Sequence, residues 1–89
     1  MTFAPFTAAG TFLTFEGTAV EATFSAVRDP EWGLIIMIHP GEADEWCVGY
    51  VATSDDGGYV GINDEGRAIA SDSSVKGVAE KLVASYISL

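Results

Sequence analysis

Alternation of apolar and polar positions divides the chain into short β segments followed by one helical stretch. Residues 1–10 (MTFAPFTAAG) are small and apolar and carry Pro5 and Gly10, which predicts a first edge strand or an arm packed on the core. Thr11 to Phe15 is rich in β-branched and aromatic residues and reads as a strand, with Glu16-Gly17 as a two-residue turn. From Thr18 to Val27 the pattern has period two. Val20, Ala22, Phe24 and Ala26 share one face, and Ala19, Glu21, Thr23 and Ser25 share the other, as in a half-buried strand. Arg28-Asp29-Pro30-Glu31 is a proline-initiated turn.

Gly33 to His39 is apolar on both faces, the pattern of a central strand. His39 precedes Pro40, and steric contact with the proline ring favours extended backbone there. After the loop 40–45, residues 46–52 form a strand. Strict alternation places Trp46, Val48 and Tyr50 on one face and Cys47, Gly49 and Val51 on the other. Gly49 and Gly61 inside strands signal close helix packing or a bend.

Asn63-Asp64-Glu65-Gly66 is the clearest local signal. Asparagine starts a type I turn, and Gly66 takes the positive φ that closes a three-residue hairpin loop with a bulge. Ser54-Asp55-Asp56-Gly57 repeats the same chemistry before the strand Tyr59 to Ile62, and Arg67 to Ser71 is the returning strand. Asp72, Ser73 and Ser74 then offer N-cap oxygens. Val75, Val78, Ala79, Leu82, Val83, Tyr86 and Ile87 fall on one stripe of a helix over 74–87. Gly77 costs that helix about 1 kcal/mol against alanine, so burial must hold it in place.

The expected fold is therefore α+β: one domain over 1–89, with an antiparallel meander of five or six strands and a C-terminal helix packed on one face. A helix of this length, about 21 Å, covers one face of such a sheet and not both. Both central strands are apolar on their two faces. The second face must be met by curling into a half-barrel, by the N-terminal arm, or by a second copy of the chain.

Composition narrows the functional classes. Thirteen acidic residues against four basic ones give a net charge of −9, while 48% hydrophobic content and a mean hydropathy of +0.27 argue against disorder. Direct binding to nucleic acid or to an anionic membrane needs lysine and arginine in numbers this chain lacks. A basic protein partner suits it. The absence of Lys or Arg before Arg28 is unlike a secretory leader, and one cysteine suits a reducing compartment; the expectation is the cytoplasm, of a host cell if the gene is a phage's.

In a meander, alternate turns share one end of the sheet. One end collects Glu16, then Glu42, Asp44 and Glu45, then Asp64 and Glu65, with no Lys or Arg in those turns. The other collects Asp29, Glu31, Asp55, Asp56 and Asp72, with Arg28 nearby. Turn geometry alone recruits aspartate, but six uncompensated carboxylates at one rim exceed what turns require. Spaced carboxylates of this kind occupy Lys/Arg-lined nucleic-acid sites through charge-assisted contacts. In size and charge, though in no motif, the chain resembles phage-encoded inhibitors of bacterial defence nucleases. The candidate partner-binding residues are these six acids with Trp46 and Tyr50, aromatics being frequent anchors at interfaces. The alternative is a structural or adaptor subunit that buries its uncovered sheet face in a homodimer.

Other chemistry fits less well. The acidic pairs 55–56 and 64–65 lack the spacing of a calcium loop, so no metal is expected. The glycines 57, 58, 61 and 66 are not followed by the helix and Lys-Ser/Thr of a phosphate loop. His39 and Cys47 lack a third group to orient them, and Cys47 reads as a buried small hydrophobe. The exposed turn carboxylates are expected to keep ordinary pKa values. Tyr86 reads as core, and Trp32 as partly exposed. No nucleophile, base and orienting group assemble, so neither catalysis nor a cofactor is expected.

Overall fold

The computed structural model describes residues 5–89, and the first four residues of the expected arm lie outside them. Six antiparallel strands follow one another as a meander: β1 (Phe6–Leu13), β2 (Ala19–Asp29), β3 (Gly33–Ile38), β4 (Trp46–Thr53), β5 (Tyr59–Asn63) and β6 (Ala68–Asp72). Helix α1 (Val75–Ile87) closes the chain. The sheet curls into a half-barrel around α1, which touches all six strands. Residues 6–10, left open between arm and strand, are the first half of edge strand β1.

The concave face holds the core. Phe24, Ile36 and Ile38 from the sheet meet Val78, Leu82 and Val83 from the helix, all fully buried. Phe6 and Phe12 pack edge-to-face on Phe24, with ring centroids 6.4 and 6.0 Å away, which contributes about 0.5–1.5 kcal/mol per pair beyond area burial. The helix stripe is as expected for Val78, Ala79, Leu82 and Val83, with Val75 and Ile87 packed at its margins. Tyr86 instead lies 37% exposed near the C-terminal end of α1, so it is not core. Among the described residues no helix is long and apolar enough to cross a membrane.

Three hairpins share one turn chemistry. In each, a polar residue and the residue four positions on close the ladder: Thr14 N–H to Thr18 O, Ser54 N–H to Gly58 O, and Asn63 N–H to Arg67 O, at 2.8–2.9 Å. The fourth residue of each is glycine with φ between +81° and +88° (Gly17, Gly57, Gly66), a backbone state that a Cβ disfavours. This bears out the reading of 54–57 and 63–66. It corrects the first turn: residues 14–17 form the same loop, so the strand ends at Leu13 and Phe15 sits in the turn, 83% exposed.

Two glycines within strands set tertiary geometry. A Cβ on Gly61 would fall 2.8 Å from Val78 Cγ1 and 3.0 Å from Leu82 Cγ, so the absence of a side chain at Gly61 lets the helix pack directly on β5. Gly49 sits at a β-bulge. Ile36 pairs with Gly49 but Met37 pairs with Cys47, leaving Val48 without a partner on β3. The inserted residue breaks strict alternation, so the expected faces of 46–51 are corrected. Val48 and Val51 both enter the core, while Cys47 and Tyr50 line a cleft on the convex face.

Ser74 caps the helix, its Oγ accepting from Gly77 N–H at 3.0 Å. Asp72 supports the cap. Its Oδ1 accepts from Ser74 N–H at 3.0 Å and from Ser74 Oγ at 3.2 Å, and Lys81 Nζ lies 3.3 Å from Oδ2. A Cβ on Gly77 would fall 2.4 Å from the Asp72 carboxyl carbon, so this costly helix glycine makes room for the carboxylate. The backbone N–H of Ser74 and then Lys81 hold the Asp72 pKa below its ordinary 3.8. A lowered folded-state pKa adds stability above the unfolded value that is lost as pH falls through the folded one. Acid titration below about pH 4 should therefore destabilise the wild type more than Asp72→Asn, measured as the difference in melting temperature between neutral and acid pH.

Ser25 is a further irregularity. The register sets it between Thr7 and Met37, on the face opposite Phe24 and Ala26, yet it is only 5% exposed. Its hydroxyl has no hydrogen-bond partner among the described residues. An unsatisfied buried hydroxyl is a net cost, so Ser25→Ala should raise stability by about 1 kcal/mol in denaturant unfolding. A loss would show that the hydroxyl is satisfied.

Candidate functional site

The meander puts the hairpins β1–β2, β3–β4 and β5–β6 at one end of the sheet. Successive members are two strand spacings apart, about 10 Å. All six acids expected at that rim are there, and each is exposed. A hydrogen bond of 3.5 Å from Trp46 Nε1 to Asp64 Oδ2 joins the second hairpin to the third. Two bases also belong to this rim. Arg67 closes the β5–β6 loop immediately after Gly66, and its presence corrects the expectation of a rim without arginine. His39 places Nδ1 3.9 Å from Glu42 Oε2 and Nε2 3.6 Å from Asp44 Oδ2. Among the described residues none of Arg67, Lys76 and Lys81 forms an ion pair with any of the six.

The two rims differ in what their carboxylates do. At the far rim three of the four aspartates hold backbone, Asp55 being the exception. Asp29 Oδ2 accepts from Glu31 and Trp32 N–H at 3.0 and 2.8 Å, Asp56 Oδ1 accepts from Gly58 N–H at 3.1 Å, and Asp72 braces the helix cap. The Ser54 hydroxyl and then the Gly58 N–H lower the Asp56 pKa. With Asp72, this departs from the ordinary values expected of turn carboxylates. A hollow of about 330 Å³ lies there, but its two carboxylates, Asp56 and Asp72, are already engaged.

At the near rim Asn63 takes over the structural work, its Oδ1 accepting from Glu65 and Arg67 N–H at 3.0 and 2.9 Å. Only Glu45 serves backbone there, accepting from Gly41 N–H at 3.1 Å. Glu16, Glu42, Asp44 and Glu65 accept no backbone hydrogen bond among the described residues. Glu42 and Asp44 lie beside His39, while Glu16 and Glu65 have no ion-pair neighbour among the described residues.

Beside this rim, on the convex face, lies a cleft of about 530 Å³. Trp32, Ile35, Trp46, Cys47 and Tyr50 form its walls, and Asp64 lies at its edge. Trp32 and Tyr50 stack at 5.1 Å with planes tilted by 44°. The two tryptophans stay 54% and 52% exposed, unusual for side chains of their size unless something else covers them. Trp46 and Tyr50 were both expected at this surface. Trp32, expected only to be partly exposed, also lines the cleft; the turn that carries it back over Tyr50 is signalled in the sequence only by Asp29-Pro30. Leu13 and Phe15, exposed at the first hairpin, were not expected at all.

The histidine and cysteine serve different local roles. His39 has φ +53°, so it is not the extended residue expected before Pro40. The chain reverses at this point: its N–H donates to Thr23 O and its carbonyl accepts from Glu42 N–H. The imidazole is thereby brought to Glu42 and Asp44. Cys47 is half-buried in the cleft wall, not core, and its Sγ donates to Gly49 O at 3.6 Å. Among the described residues no group of three His, Cys, Asp or Glu side chains is placed to hold a metal ion. No family model, no curated protein and no solved structure matches this chain, so these side chains alone define the site.

Proposed function

We propose that the chain is a small non-catalytic binding protein that presents the carboxylates of three hairpins to a cationic protein surface. Its best-fitting role is competitive inhibitor of a nucleic-acid-binding protein. The observation that carries this is the contrast between the two rims. At one, three of five carboxylates (Asp29, Asp56 and Asp72) are tied to backbone and Glu31 and Asp55 are not; at the other, Asn63 does that work, and Glu16, Glu42, Asp44 and Glu65 stay exposed with no backbone to hold among the described residues, Glu42 and Asp44 lying beside His39. Carboxylates arrayed about 10 Å apart match a groove lined by Lys and Arg, and each charge-assisted contact contributes about 1.5–3 kcal/mol. Such binding should weaken as salt rises and be displaced by an oligonucleotide. Capture on immobilised wild type from nuclease-treated lysate, followed by oligonucleotide elution, tests it. Proteins retained but insensitive to both salt and oligonucleotide would contradict it.

The exposed Trp32, Trp46, Val27, Leu13 and Phe15 favour a second reading, self-association through the convex face. Sedimentation equilibrium at rising concentration tests it directly. A strict monomer up to about 1 mM, where even a contact of roughly 4 kcal/mol would register, would eliminate it.

A further inference from the structure

We infer that the aromatic cleft is a receptor for one arginine side chain of the partner. The inference rests on the reading of the rim as a partner-facing surface and names the anchor beside it. Three features select the ligand. The Trp32–Tyr50 stack and Trp46 offer ring faces, on which a planar guanidinium stacks. Asp64 offers a carboxylate at the cleft edge, and its contact with Trp46 Nε1 engages only Oδ2, leaving Oδ1 to accept a second N–H. The net charge of −9, with Glu65 next in the same turn, draws a cation toward this end. Lysine fits less well. Its ammonium is strongly hydrated and directs three donors at once, and the cleft supplies one carboxylate among apolar walls.

The cleft carries its own reporter, because Trp32 and Trp46 are the chain's two tryptophans. Acetyl-Gly-Gly-Arg-Gly-Gly-amide and its lysine and citrulline counterparts are titrated against tryptophan fluorescence. The arginine peptide should give a saturable change. The citrulline peptide, equal in shape but uncharged, should bind about tenfold more weakly, and the lysine peptide severalfold more weakly. Asp64→Asn and Tyr50→Leu should each reduce arginine-peptide affinity about tenfold with an unchanged far-UV spectrum. Equal responses to arginine and citrulline, or no saturation by about 10 mM arginine peptide, would overturn the assignment.

The double variant Glu16→Lys/Glu42→Lys, which leaves the cleft walls, Asp64 and Glu65 intact, separates the two levels. If it still binds the arginine peptide while wild-type capture proves insensitive to oligonucleotide, the cleft stands and the rim reading falls. If wild-type capture is displaced by oligonucleotide but the peptide never binds, the rim reading stands and the cleft assignment falls.

Discussion

Gly49→Ala is expected to lower the melting temperature by roughly 12 °C or more, the largest stability effect of any single methyl group in this chain. A Cβ at that position would fall 2.2 Å from Ile62 O, far inside contact distance. The carbonyl cannot retreat freely, because Gly49 and Tyr50 pair with Asn63 and Ile62 on β5. The backbone there also has φ +155°, at the border of the region that side chains avoid. Overpacking and strain together should cost about 3 kcal/mol or more, a large share of the roughly 4–13 kcal/mol available to a chain of this length. Gly66→Ala supplies the contrast. It has φ +81° and open space around it, so it should lose only the left-handed penalty of about 1–2 kcal/mol. Equal losses in the two variants, followed by circular dichroism on heating, would show that the bulge is not the constraint described. Relaxing the bulge would also disturb the cleft, because the bulge is what sends Val48 inward and Cys47 and Tyr50 to the cleft.

Reversing charge at the rim should have the largest effect on binding. Glu16, Glu42 and Glu65 come one from each hairpin, and none accepts a backbone hydrogen bond among the described residues. Converting all three to lysine should therefore leave the fold's melting temperature within a few degrees of wild type. Loss of even two charge-assisted contacts, about 3 kcal/mol or more, predicts at least a hundredfold weaker retention of a cationic partner. Glu45 and Asp64 are poorer choices, since Glu45 holds Gly41 N–H and Asp64 holds Trp46. Reversal at the far rim, Asp55→Lys, should leave retention unchanged apart from a small long-range term screened by salt.

Much of the fold was legible because its signals are local. Asn63 through Gly66 and Ser54 through Gly57 announce their hairpins through residues that need no tertiary help. The helix is legible because seven apolar and aromatic residues from Val75 to Ile87 recur at i, i+3 and i+4 spacing after a serine cap. The same hairpin spacing runs from Thr14 to Gly17, but the apolar Phe15 inside it reads as strand, which shortens the expected turn to Glu16-Gly17 and conceals an exposed aromatic. The bulge was not legible at Val48, because a period-two count assumes that no residue is inserted. Gly49 marked the place without giving the consequence. His39 departs from the extended backbone expected before Pro40 because that local preference is overridden by the chain reversal into Glu42. For the site, the rim followed from topology alone. Its separation from the far rim did not, because which carboxylates hold backbone depends on turn geometry: Asn63 caps one loop, while Asp29 and Asp56 cap others.

The most direct test of the central claim compares wild type with Glu16→Lys/Glu42→Lys/Glu65→Lys as immobilised bait in nuclease-treated lysate, eluting with a duplex oligonucleotide. The account predicts that nucleic-acid-binding proteins bind the wild type, leave with the oligonucleotide, and fail to bind the reversed rim. Retention of the same proteins by both baits, or proteins that the oligonucleotide does not release, would contradict it.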